Sequence, residues 1–308
     1  MVTLSERVVR VRAPNPSPMT LTGTNTYLVR TSRNSLLVID PGPLIDEHVD
    51  AIVATAEVAG AAIRTILVTH GHPDHAPAAV PLSRRTGAPV WAHAYAKFPV
   101  DRTLEDRERL EFDDATIDVI DAPGHAVDHF VFALAQERTL FTGDVVLGTG
   151  TVVVAPPGGA MRPYQRTLER LLAEHGDAAA IYGGHGERVD DPKAKLNEYI
   201  EHRKMRERQL IGELEKGPAT IPMLVENIYA GIDSRLWPAA ARQMLAYLIA
   251  LEEENRVVPR IVPRQPSPEE AAILDPNLQR IADPEAAAVA REELGSTVEL
   301  PLIEYRIA

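Results

Sequence analysis

Cysteine is absent from this chain of 308 residues, which excludes disulfides and thiolate metal sites and leaves the redox compartment unmarked. No apolar run reaches the ~18 residues that a membrane-crossing helix needs. The first 14 residues alternate charge with valine and show no apolar core of a signal peptide. A soluble, cytoplasmic protein with no membrane partner is the expectation. Basic residues are in deficit, 32 against 44 acidic, and the formal charge of −12 disfavours a general attraction to nucleic acid or anionic lipid. A G-x-S-x-G turn is missing as well, so neither a serine of that type nor a cysteine offers itself as a nucleophile.

What the chain does have is apolar residues at 45% and enough length for a main domain of about 200 residues with a smaller one beside it. One stretch organises the rest: Thr69-His70-Gly71-His72-Pro73-Asp74-His75, four ligand-type side chains within six residues. It follows the apolar run Ile66-Leu67-Val68, which places it on a short turn at the end of a strand.

Strands are predicted at 7–12, 23–29 and 35–40, an opening antiparallel meander, followed by a helix over 46–61, a buried strand over 63–69 and a helix over 76–86. Further strands are expected at 89–92, 116–121, 130–134 and 139–142, with 101–114 an exposed charged run. A helix over 164–175 and a last buried strand over 178–182 complete a body ending near residue 190. A long amphipathic helix over 192–214 leads out, stopped by Gly217-Pro218. Helices at 221–229 and 238–254, then Arg256-Val257-Val258-Pro259, make a small winged-helix-like module. Its last helix carries Glu252, Glu253 and Glu254 against only Arg242 and Arg256, a poor match for phosphate contacts. Beyond residue 259 the tail is rich in Pro and Glu, with strand-like alternation at Ile303, Tyr305 and Ile307, and reads as a linker plus an edge strand. The expected domains are therefore 1–190, 191–258 and the tail 259–308.

Three more donors share one context, each after an apolar strand and a glycine: Pro123-Gly124-His125, Thr142-Gly143-Asp144 and Gly183-Gly184-His185. Taken singly, His125 reads as a turn histidine, Asp144 as a loop carboxylate and His185 as a surface residue. Taken in this order with the His70 stretch, seven donors converge if those strand ends share one sheet edge. His93 and His129 read as buried histidines or supports of ligands, and His48, His175 and His202 carry no ligand spacing.

The order H-x-H-x-D-H, P-G-H, G-D and G-G-H-G resembles the metallo-β-lactamase superfamily. More narrowly, Gly23-Thr24-Asn25-Thr26-Tyr27-Leu28, Pro123-Gly124-His125, Gly143-Asp144-Val145-Val146-Leu147-Gly148, and His202-Arg203 with Arg206-Glu207 resemble the beta-lactamase-like protein 2 group, related to glyoxalase II. The resemblance covers residues 7–258. It implies an α+β fold, a four-layered αββα sandwich followed by a winged-helix domain. It also implies a dinuclear centre with His70, His72 and His125 as the first site, Asp74, His75 and His185 as the second, and Asp144 bridging. Chemistry agrees with that split. Three neutral imidazoles suit zinc, whereas two carboxylates with two imidazoles make a harder site open to zinc, manganese or iron. Two Zn2+ ions are expected.

The expected enzyme is a metal-dependent hydrolase in which a metal-bridging hydroxide cleaves an ester, thioester or amide of a small molecule, with Asp74 as proton relay. Arg203 and Arg206, at i and i+3 on one helix, and Tyr164 are expected to bind the substrate, an anionic group falling to the arginines. Loop 148–161 and the helical module carry specificity. The alternative is a single-strand-specific endoribonuclease, and a winged-helix DNA-binding regulator ranks third. Single-stranded RNA and a second copy of the chain are the runner-up partners.

Overall fold

The computed structural model describes residues 1–274 and 302–308. Strands β1 (Val2–Thr3), β2 (Val8–Arg12), β3 (Asn25–Ser32) and β4 (Ser35–Ile39) form the antiparallel opening of a seven-stranded sheet. Helix α1 (Asp46–Val58) returns the chain so that β5 (Ala62–Leu67) lies parallel to β4, and α2 (Ala79–Thr86) does the same for β6 (Val90–His93). Strand β7 (Arg102–Leu104) closes the sheet at its far edge.

A second sheet follows. Its order is β12 (Ala180–Gly183), β11 (Thr139–Gly143), β10 (Phe130–Leu134), β9 (Thr116–Asp121) and β8 (Arg109–Glu111), all antiparallel except the β11–β12 pair. Strands β7 and β8 fall inside the charged run expected to be exposed. Each is three residues long with one buried side chain, Leu104 or Leu110, and each occupies the terminal position of its sheet. Charges at edge positions discourage pairing with another chain, so such a strand does not show the apolar alternation that betrays its neighbours.

Two cores follow from the period of two along each strand. Tyr27, Val29, Leu37 and Ile39 point between the sheets and meet Ile117, Val119, Phe130, Phe132, Phe141 and Tyr182. Leu28, Leu36 and Val38, the alternate residues, join Val49, Ile52, Ile66 and Leu82 beneath α1 and α2. Helix α3 (Met161–His175) reaches the end of β9, where Thr167 Oγ1 donates to the Pro123 carbonyl and Arg170 to that of Asp121.

Contacts divide the chain into two compact units, Met1–Val152 with Arg166–Tyr199, and Val153–Gln165 with Ile200–Ala308. The second contains most of α4 (Pro192–Lys216), then β13 (Ala219–Thr220), α5 (Ile221–Ile228), α6 (Trp237–Glu253), β14 (Val257–Val262), α7 (Pro268–Ile273) and β15 (Leu302–Ile307). Ser267 and Glu270 cap α7 reciprocally, side chain to backbone in both directions. The terminal strand differs from expectation. It is the middle strand of a three-stranded sheet, pairing β13 on one side and β14 on the other, not an edge. Leu302 and Tyr305 are buried there. The first part of that expected strand, 297–301, lies outside the described residues.

Candidate metal centre

Topology gathers the donors. Strands β4 and β5 are parallel neighbours, so their C-terminal ends, bearing Asp40 and the Thr69–His75 turn, lie side by side. Strands β11 and β12 are parallel too, which sets Asp144 beside His185. Strand β9, two places from β11 with β10 between them running the other way, ends at the same edge and delivers His125.

Seven side chains form two donor groups. His70, His72 and His125 make one, and Asp74, His75, Asp144 and His185 the other, each with its ligand atoms within 4.8 Å of one another. In the first, His72 Nδ1 lies 3.0 Å from His70 Nε2 and 2.9 Å from His125 Nε2. Tetrahedral nitrogen ligands at ~2.0–2.1 Å from an ion would stand roughly 3.3 Å apart, so only a small adjustment about a cation separates this arrangement from a ligand set. In the second, His185 Nε2 is 3.1 Å from Asp74 Oδ2, and both His75 Nε2 and His185 Nε2 are 3.4 Å from Asp144 Oδ1. The other oxygen of Asp144, Oδ2, faces the first group, 3.7 Å from His125 Nε2. One carboxylate thus addresses both sets.

The hydrogen-bond network dictates which nitrogen of each ring is free to ligate. Asp40 accepts from the Thr69 amide at 2.7 Å, from the Thr69 hydroxyl at 2.7 Å and from His75 Nδ1 at 2.8 Å. The Thr69 hydroxyl, its proton committed to Asp40, accepts from His70 Nδ1 at 3.0 Å. The Nε2 atoms of His70 and His75 therefore face the centre. Asp40 thereby orients a donor in each group, a role the sequence reading missed. Its sequence signal is a carboxylate closing a buried strand ahead of Pro41-Gly42.

Electrostatics separate the groups. Burial, followed by neighbouring imidazoles, holds His70 well below the ordinary histidine value, and burial lowers His72 as well. Both are neutral with a lone pair available. In the second group burial alone would depress His75, yet Asp144, Asp74 and Asp40 outweigh it and raise it well above normal. The same contest, won by Asp144 and Asp74, lifts His185 to about 9. Burial would raise both carboxyls, but His75 and His185 hold Asp144 well below its usual value and bring Asp74 to about 2. A pocket that stabilises carboxylates and draws protons onto buried imidazoles is a pocket that favours positive charge. His75 Nε2 and Asp144 Oδ1, buried and 3.4 Å apart, make no well-aligned hydrogen bond among the described residues. Such orphans are costly unless something else satisfies them, and divalent cations fit this donor set.

The remaining expected residues stand in neither donor group. Tyr164, Arg203 and Arg206 belong to the second unit. Arg203 is 1% exposed, its guanidinium 4.9 Å from the centroid of the buried Tyr164 ring, and Arg206 lies 4.4 Å over Tyr229 while donating to the Ile228 carbonyl. His93 contacts Asp121 at 3.7 Å and stands in neither donor group.

Residues 19–185 match the family model described as the metallo-beta-lactamase superfamily, and residues 220–260 that of the beta-lactamase associated winged helix domain. The chain is similar to the lactamase-like protein adaB of Aspergillus niger, 33% identical over 82% of this chain and 83% of that one. It is 34% identical to a beta-lactamase-like protein 2 homolog of Caenorhabditis elegans, over 74% of this chain and 78% of the other. Among solved structures, a metallo-beta-lactamase family protein of Thermus thermophilus superposes with a TM-score of 0.70 at 23% identity, covering 84% of this chain and 97% of that one.

Proposed function

This chain belongs to the metallo-beta-lactamase superfamily of metal-dependent hydrolases, and on that premise we propose that it cleaves an ester, thioester or amide in a small molecule at a centre of two zinc ions. Residues 1–190 are assigned the catalysis and 191–258 a cap. His70, His72 and His125 are assigned to one ion, Asp74, His75 and His185 to the other, and Asp144 to both. The observation that supports this most is Asp144, whose two oxygens face the two donor groups separately.

When bound, such ions supply Lewis acidity toward a carbonyl oxygen and lower the pKa of a water molecule toward about 7. The chain supplies the rest. Asp40 and Thr69 hold two imidazoles in the tautomer that presents Nε2. Thr24 donates to Asp74 Oδ2 at 3.3 Å, aiming that carboxylate. Asp74 has the more exposed side chain of the two carboxylates, 24% against 11%, and is assigned to pass a proton between the attacking water and the leaving group.

Metal analysis of the purified chain, with turnover measured on a thioester, a lactone, a lactam and single-stranded RNA, tests the proposal. About two zinc ions per chain and turnover of one of the first three are expected. Cleavage of RNA alone, with steep salt dependence, would shift the assignment to a ribonuclease, against which the charge of −12 stands. His70→Ala and Asp144→Asn should abolish turnover with folding intact. An Asp74→Asn variant that keeps its metals and full rate would remove the proton-transfer role.

A further inference from the structure

Three consecutive residues leading into β10, none of them in either donor group, each hold a different part of the centre. Asp128 Oδ2 accepts the Gly71 amide at 3.0 Å, between His70 and His72. His129 Nε2 accepts the Asp144 amide at 3.1 Å, and its ring stacks on that of His70 with centroids 4.5 Å apart and planes 20° from parallel. The Phe130 amide donates to the Thr69 carbonyl, and the Ala122 amide to that of His129, both at 2.8 Å. The segment therefore ties the turn after β5, the turn after β9 and the turn after β11 to one short piece of chain.

We propose that Asp128 and His129 are positioning residues that hold the two donor groups in register, so that the groups are converged before any cation enters. The packing is tight. A Cβ on Gly143, whose φ is +45°, would lie 2.6 Å from Thr69 Oγ1 and 2.8 Å from His129 Nε2, and one on Gly71 would lie 2.9 Å from Asp128 Oδ2. At Gly143 the positive φ and the Thr69 and His129 side chains together leave room only for glycine. His129 is fully buried, and burial, followed by the charge of His125, holds it well below the ordinary histidine value, so it is neutral. Because Nε2 accepts a hydrogen bond, the proton sits on Nδ1, which has no partner among the described residues. A leucine of similar volume would avoid that orphan. The ring is explained by what Nε2 does for Asp144, the carboxylate shared by both groups.

The inference rests on the two-ion reading above, and its test separates the two. The full chain, purified without metal, is titrated with Co2+ against a chromophoric chelator, and the visible spectrum of the bound ion is recorded. A wild-type chain that takes up no Co2+ would overturn the two-ion reading itself. If the wild type takes up two, His129→Leu should weaken uptake by roughly 10–100-fold and alter the spectrum. His129→Gln, whose side-chain oxygen can still accept the Asp144 amide, should restore most of both. Asp128 is half-exposed, so Asp128→Ala leaves the core packing alone. It should weaken uptake at the three-histidine group, and Asp128→Asn, which keeps an acceptor, should rescue it. Leucine and alanine variants that bind both ions with wild-type affinity and spectrum would overturn the proposal. So would a glutamine variant as impaired as the leucine one.

Discussion

Asp40 adopts a φ of +52°, a conformation that most residues with side chains avoid, and it does so at the end of β4 with its carboxylate turned back onto Thr69 and His75. Three donors converge on an acceptor-only group. In Asp40→Asn one oxygen becomes an NH2 facing buried N–H or O–H groups, so the variant should lose about 1–3 kcal/mol in urea unfolding and bind metal roughly 10–100-fold more weakly. Unchanged unfolding would show that Asp40 is not the acceptor described here. Behind it, the Thr26 hydroxyl donates to the Asp40 carbonyl and so must accept from His48 Nε2 at 2.8 Å. His48 is 1% exposed, and burial lowers its pKa to about 4. The unfolded chain, with histidine near 6.5, therefore binds this proton first as pH falls. The contribution of His48 to stability should be full above about 6.5 and decline by up to about 3 kcal/mol as pH drops toward 4. Replacing His48 by Gln should make the loss between pH 7 and pH 5 smaller than in the wild type in denaturant titrations, with His70, His72 and His129, whose pKa values are also lowered, supplying the remainder. A wild type equally stable at both would contradict it.

At the scale of elements, the sequence was readable where burial imposes a period and silent where it does not. Strands β3 to β5 and β9 to β12 carry apolar residues on faces that end in a core, and each was anticipated. Strands β7 and β8 offer one buried leucine apiece among charges, and their pairing is decided by the sheet edge they complete. Strand β15 showed its alternation but not its place, since pairing with both β13 and β14 is long-range information. Its burial makes a prediction. Tyr305→Ala, removing a side chain 3% exposed, should cost about 3–5 kcal/mol, read as loss of amide protection in β13 and β14. Protection there unchanged by the substitution would mean the three-stranded sheet does not depend on its central strand.

For the molecule as a whole, none of the described helices is long and apolar enough to cross a membrane. Metal should act as a stabilising ligand, because an unfolded chain cannot assemble donors that are 115 positions apart, from His70 to His185. At a free metal concentration a hundredfold above Kd, binding adds about 2.7 kcal/mol, which should raise the melting temperature by roughly 5–10 °C and be reversed by a chelator. A melting curve indifferent to zinc and chelator would remove the centre from the folding equilibrium.

By itself the sequence determined which chemistry is available: imidazoles and carboxylates, no thiolate, each placed in a turn just past an apolar strand. It also carried the family, since H-x-H-x-D-H with three later glycine-linked donors is a local pattern that survives without coordinates. Tertiary structure alone decided that parallel pairing of β4 with β5 and of β11 with β12 brings those strand ends to one edge, which nitrogen of His70 and His75 faces inward, and that Asp40, Asp128 and His129 support them. A donor's identity is a property of one residue. Its orientation depends on hydrogen bonds across tens of positions, which exist only once the sheets have formed.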